Sequence, residues 1–134
     1  MIISDVIDDI GQKLATITDL RVIPYEADDI NCPGAMISLP TNIDYLGTYR
    51  RGMDTLTLII ILLVSNVDDR LKRNEITAYA DGHGERSIKE VLENGKYNSF
   101  DVIAVKSAAF DVIQIGRTKY LGCKFTTFVS GQGN

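Results

Sequence analysis

Asp81, His83 and Glu85, at alternate positions in the run DGHGE, are the densest set of metal-capable side chains in the sequence. Imidazole and carboxylate are ordinary zinc donors, and the glycines between them would let a loop fold round an ion. On this reading the chain is a metal-dependent hydrolase. The competing reading is a solvated turn feeding a helix, and the sequence favours it. His83 is the only histidine, and no second ligand pair of matching character lies elsewhere. The overlapping GHGERS has the glycines of a phosphate-cradling loop, but it follows a helical stretch where such motifs follow a strand, and it lacks their lysine. The adjacent acids Asp28/Asp29 and Asp68/Asp69 fit caps and solvated charge better than a hydrolase dyad. Nothing marks a nucleophile that His83 would activate. The expectation is a protein without catalytic residues, metal or cofactor.

The elements around these residues follow from hydrophobic period. Ile3, Ile7, Ile10, Leu14 and Ile17 recur at helical spacing, with Ser4 or Asp5 as the expected cap. Arg21 to Tyr25 (RVIPY) and Gly34 to Pro40 (GAMISLP) read as short strands, shortened by Pro24 and stopped by Pro40. In the most apolar run, Leu56, Leu58, Ile60, Leu62 and Val64 fall on one face of a strand and Ile59, Ile61 and Leu63 on the other. The β-branched content favours a strand over a buried helix. Such a strand is central and covered on both sides. Asp68 or Asp69 would cap a helix running to about Tyr79, with Val67, Leu71, Ala78 and Tyr79 inward. Ser87 and Glu90 form a capping box for a short helix that buries Ile88, Val91 and Leu92. Phe100 to Val129 reads as two or three strands, with Leu121, Cys123, Phe125 and Val129 on one face and a turn at Gly116. The fold class is therefore α+β, a largely antiparallel or mixed sheet with helices packed on one face. Helices on one side leave the central strand's other face uncovered, which points to an oligomer.

Composition narrows the class further. The 134 residues suit one domain, with Ser130 to Asn134 (SGQGN) as a loose tail. The longest apolar run is far short of the roughly 20 residues of a spanning helix. The opening MIISDVIDDIGQK lacks the basic leader of a targeting signal, so the expected compartment is the cytosol, with no membrane contact. Cys32 and Cys123, without CxxC spacing, are expected reduced and buried. A net charge of −4 argues against electrostatic capture of nucleic acid.

One segment stands out in composition. Ile43 to Asp54 (IDYLGTYRRGMD) combines Tyr45, Tyr49, Arg50, Arg51 and Met53 with two glycines between strands. Tyrosine, arginine and methionine are enriched at protein interfaces because they give large contact area with adaptable polar tips. An ordinary hairpin loop with snorkelling side chains is the alternative. The candidate site is a subunit or partner interface of Tyr45, Tyr49, Arg50, Arg51, Met53 and Asp54.

The succession VIPYEADDINCPGAMISLP, IDY and RGMD, LTLIIILLVSNVDDR, AYADGHGERSIKEVLE and YLGCKFTTFV resembles the tail terminator, or tail completion, proteins of long-tailed bacteriophages. The resemblance runs from about Leu20 to Val129 and rests on element order and short pieces such as DGHGERSIK and YLG. It implies a small α/β domain in a homo-oligomeric, typically hexameric, ring. That ring would sit on the last ring of the major tail-tube protein, stop tube growth and present the surface for head attachment and head–tail connector proteins. DNA would pass the channel without sequence-specific binding. The implied location is the head-proximal end of the virion tail, after assembly in the host cytoplasm. A head-to-tail connector on the portal side is similar in size and shape and remains an alternative.

Overall fold

The computed structural model describes residues 2–17, 20–22, 33–48, 53–66 and 73–132. In chain order the elements are α1 (Ile3–Leu14), β1 (Arg21–Val22), β2 (Gly34–Ile37), β3 (Asn42–Thr48), β4 (Met53–Asn66), α2 (Arg73–Ala80), α3 (Ile88–Glu93), β5 (Val102–Ile115) and β6 (Thr118–Gln132). The class is α+β, with one mixed, mostly antiparallel six-stranded sheet.

The apolar run is β4, and it pairs antiparallel with β6 from Met53 against Gln132 to Asn66 against Tyr120. On its other side it meets β2 and β3 in succession, both antiparallel, while β1 adds parallel to β2. The break between β2 and β3 is bridged by one side chain and one backbone amide. Ser38 Oγ accepts from the Ile59 N–H at 3.1 Å, and the Thr41 N–H donates to the Thr57 carbonyl at 2.8 Å. The edge of β4 thus stays hydrogen-bonded where Leu39 and Pro40 turn the chain away. β5 closes the other side of β6 through a two-residue turn in which Gly116 has φ 61°, a left-handed conformation that glycine adopts without penalty.

All three helices supply the core on one sheet face. Val6, Ile10 and Leu14 of α1, Ile76 and Tyr79 of α2, and Ile88 and Leu92 of α3 pack with Leu56, Leu58, Ile60, Leu62, Phe125 and Val129. The reverse face is only partly covered. Ile59 and Ile61 are half-buried, and a small cluster of Met36, Leu63 and Tyr120, flanked by Ile61, Ile113 and Ile115, shields the Leu63 end. The expected strand covered on both sides is therefore covered fully on one side within a single chain.

Several local expectations change. Ile43 to Thr48, read as part of a segment between strands, belongs to strand β3, because pairing with β4 outweighs its glycine and aspartate. α1 has no side-chain cap; Ile2 occupies the cap position, and Asp5 in the first turn and Lys13 in the last complement the helix dipole instead. α2 is described from Arg73, so the Asp68/Asp69 cap lies outside the described residues, as do Val67 and Leu71. Its buried pair is Ile76 and Tyr79, with Ala78 only half-buried. Ser130, Gly131 and Gln132, assigned by composition to the tail, extend β6 against β4.

Two tertiary contacts fix how β5 and β6 sit. Gly122 lies opposite Leu63 and Asp111, and a Cβ there would collide with Ile113 and stand 2.8 Å from the Leu62 carbonyl oxygen. At the start of β5, the Val105 N–H donates to Glu93 Oε2 of α3 at 2.9 Å, while Lys89 bonds the other carboxylate oxygen. Burial alone would raise the Glu93 carboxyl. The hydrogen bonds from Lys89 and Val105, with the Lys89 charge, outweigh it and bring the group below the usual glutamate value.

Gly122→Ala is expected to lower stability by about 1–3 kcal/mol through overpacking. Gly82→Ala, with nothing within 4 Å of its Cβ, should stay within about 0.5 kcal/mol of the parent. Urea denaturation of the two variants beside the parent checks this, and equal midpoints would contradict the close approach. For Glu93 the lowered folded-state pKa means that its contribution is present above the unfolded value of 4.5 and is lost as pH falls through the lower folded value. Glu93→Gln should thus cost about 1 kcal/mol at pH 7, and the gap to the parent should shrink as pH falls below 4.5. A gap that stays constant from pH 7 to pH 3 would refute the linkage.

Candidate functional site

Of the interface residues proposed from composition, Tyr45, Met53 and Asp54 lie at one end of the sheet, where β3 meets β4. Tyr45 lies on β3 with 67% of its surface exposed. Thr48 pairs with Met53, the first residue of β4, so the intervening segment joins two antiparallel neighbours. Tyr49, Arg50 and Arg51 fall in that segment, outside the described residues, and so does the Met53 side chain. Asp54 is half-buried and pairs with Gly131 of β6. Next to it, the Thr55 and Ser130 hydroxyls lie 3.2 Å apart, and the Asp101 N–H donates to the Ser130 carbonyl at 2.9 Å. The start of β4, the end of β6 and the start of β5 therefore form one surface around the β3–β4 end.

The DGHGE loop is organised as the entry to α3. Ser87 Oγ accepts from the Glu90 N–H at 3.1 Å and donates to the Asp81 carbonyl. The expected capping box closes differently. The Glu90 carboxylate reaches the Gly84 N–H at 2.5 Å, while the Ser87 N–H donates to the Gly84 carbonyl at 3.1 Å. A glutamate in the first turn still meets an otherwise orphaned amide, three residues further upstream than in the standard box. The His83 side chain is 95% exposed, with Nδ1 3.9 Å from Glu90, and Asp81 and Glu85 are exposed. Among the described residues, no three His, Cys, Asp or Glu side chains converge on a point that would hold a metal ion.

The remaining titratable groups read as structural. Burial pushes the Cys123 thiol up to about 11, against an opposing hydrogen bond from the Ala109 backbone. The thiol is buried and free, so it is protonated at neutral pH and poor as a nucleophile. Cys32 lies outside the described residues. Tyr97 is pushed up to about 12 by burial and the Asp9 charge. Its hydroxyl donates to the Leu92 carbonyl at 2.7 Å and its ring stacks on Phe100. Beside it a shallow groove of about 330 Å³ is lined by Asp5, Asp8, Asp9, Gln12, Asn98 and Ser99, and Ser99 Oγ donates to Asp9 at 2.5 Å.

Composition did not single out the far half of β5. Phe110 and Val112 are 55% and 46% exposed, although they pair with Cys123 and Leu121 and so share the face on which the helices pack. The alternation of the strand was legible in the sequence; the point where helix coverage ends was not.

No protein-family model matches the chain, and no curated protein matches it.

If the DGHGE loop acts only as a turn and helix entry, His83→Ala will leave the thermal midpoint within the shift set by about 0.5 kcal/mol. Addition of a chelator to the parent will not change that midpoint. Loss of stability on chelation would instead assign the loop to a metal.

Proposed function

We propose that the chain is a subunit of a non-enzymatic ring of the tail-terminator kind. Such a ring seats on the last ring of a phage tail tube, stops its growth and offers the surface for head attachment. The observation that carries this reading is the half-covered sheet. The helices bury most of one face, the other keeps Ile59 and Ile61 half-exposed, and Leu39, Tyr45, Val102, Phe110 and Val112 are exposed along the outer strands and the β2–β3 connection. Apolar surface of this extent is a common mark of a subunit completed by its neighbours. The succession of segments from Leu20 to Val129 that resembles tail terminators supports the same reading.

In this reading the β3–β4 end is the contact. Tyr45, Tyr49 and Met53 supply area, and Arg50 and Arg51 bind carboxylates through paired hydrogen bonds that a lysine cannot match. A chain of net charge −4 offers such carboxylates on its neighbours. The proposed partners are other copies in a hexameric ring, the major tail-tube protein and the head–tail connector proteins, with DNA threading the channel without sequence-specific contact. The proposed place of action is the head-proximal end of the virion tail.

Arg50→Glu with Arg51→Glu is expected to leave the circular dichroism unchanged while abolishing ring closure, tube capping or both. Native mass spectrometry and an assay of tube length read these outcomes directly. Survival of fold, ring and capping together would remove this end from the interface.

A further inference from the structure

β5 is an outer strand of the sheet; among the described residues it pairs with β6 on one side and with no strand on the other. An unpaired edge of this length presents a row of backbone donors and acceptors that invites a strand from another molecule. Which groups face outward is set by the pairing with β6. Ile115 pairs with Thr118 across the tight turn, and backbone groups alternate in direction along an antiparallel strand. Those of Ala109, Asp111 and Ile113 therefore turn toward β6, and those of Ala108, Phe110, Val112 and Gln114 turn outward.

The first half of this edge is closed by the chain itself. The Val105 N–H donates to Glu93 Oε2 of α3 at 2.9 Å. The register with β6 then shifts between Val105 and Ser107, and the Lys106 ammonium lies over the Phe128 ring at 5.1 Å. A bulge twists an edge away from an incoming strand, and a lysine there adds a charge that pairing would have to desolvate. From Ser107 to Ile115 the register runs on without a further shift. Ala108, Phe110 and Val112 line this half with exposed apolar side chains, so a strand seated here would gain main-chain hydrogen bonds and apolar contact together. In the middle of it the Val112 N–H donates to Asp111 Oδ1 at 2.8 Å. Asp111 is exposed. A strand pairing across Val112 would have to displace its carboxylate and take up a charge at the junction, and burying an unpaired charge is costly.

We propose that Asp111 guards this edge: its carboxylate, held on the Val112 N–H, keeps the outer half of β5 from accepting a strand of a second copy, as Glu93 and the bulge at Lys106 do for the first half. The guard is a device of the single chain and does not rest on the ring reading.

The test compares Asp111→Ala with Asp101→Ala in the full chain. The second variant removes the same charge from an exposed residue just ahead of β5, and both should match the parent in far-UV circular dichroism. Sedimentation across concentrations should show Asp111→Ala self-associating about tenfold more strongly than the parent, with a rise in thioflavin fluorescence, while Asp101→Ala stays parent-like. Adding Val112→Pro to Asp111→Ala should restore parent behaviour, because proline has no N–H to offer and is tolerated at an outward edge position; Val112→Lys replaces it if the proline variant does not fold. Parent-like association by Asp111→Ala overturns the proposal. Equal gains by both alanine variants also overturn it, assigning the effect to net charge, and so does association that persists once Val112 is blocked. Val112→Pro or Val112→Lys alone should leave the mass of the parent in solution unchanged. A fall to a smaller species would show this edge already paired between copies, which overturns the guard while supporting a ring.

Discussion

The pairing of β4 with β6 is the interaction on which the rest of the fold depends. The two strands run side by side over almost their whole lengths, and together they supply Leu56, Leu58, Ile60, Leu62, Cys123, Phe125 and Val129 to the helix-facing core. They are separated in sequence by two helices and β5, so forming the pair fixes a long loop before the core can form. Once it is formed, β2, β3 and β5 add to defined edges, and the helices have a continuous apolar surface to cover. Leu62 and Val64 belong to the helix-facing core and Leu63 to the reverse-face cluster with Met36 and Tyr120, so three consecutive residues are all buried.

The helices do not cover the sheet evenly. α3 lies against the first half of β5, and the Glu93 carboxylate takes the place of a missing neighbouring strand at Val105. Ile103 and Val105 are buried beneath it, whereas Ala108, Phe110 and Val112 continue the same row in the open. Among the described residues the reverse face has no helix, and Lys106 stretches its ammonium over the Phe128 ring at 5.1 Å, a contact that shields apolar surface while the charge stays hydrated. Thr127 is a polar side chain inside the core. It is fully buried opposite Leu58 and Val105, and its hydroxyl has no hydrogen-bond partner among the described residues.

The residues with the most chemical promise in the sequence are engaged in local structure. Asp81 contributes its carbonyl to Ser87, and Glu90 holds the Gly84 amide and faces His83. A short loop that must turn from α2 into α3 needs such acceptors for its exposed amides, and this need accounts for the polar residues there. The glycine of the YLG segment has a comparable steric reason, since Ile113 and the Leu62 carbonyl occupy the space of a side chain at Gly122. Tyr45 and Asp54, at the end where β3 meets β4, are not accounted for in this way by the fold of one chain.

The sequence by itself determined what depends on near neighbours. The β-branched content of the apolar run made 56–64 a strand, the spacing of Ile10 and Leu14 made the opening segment a helix, Ser87 marked a helix start, and Gly116 marked a turn. These follow from backbone geometry within a few residues, and together they specify the α+β class. Tertiary structure alone decided the rest. It turned Asn42 to Thr48 into an edge strand because β4 offered hydrogen-bonding groups, and it drew Ser130 to Gln132 into β6 for the same reason. It also set where helix cover stops along β5, so that Val105 is core and Phe110 is surface although both lie on one face. Register, bulges and the reach of a helix across a sheet depend on pairs far apart in sequence, and no local pattern encodes them.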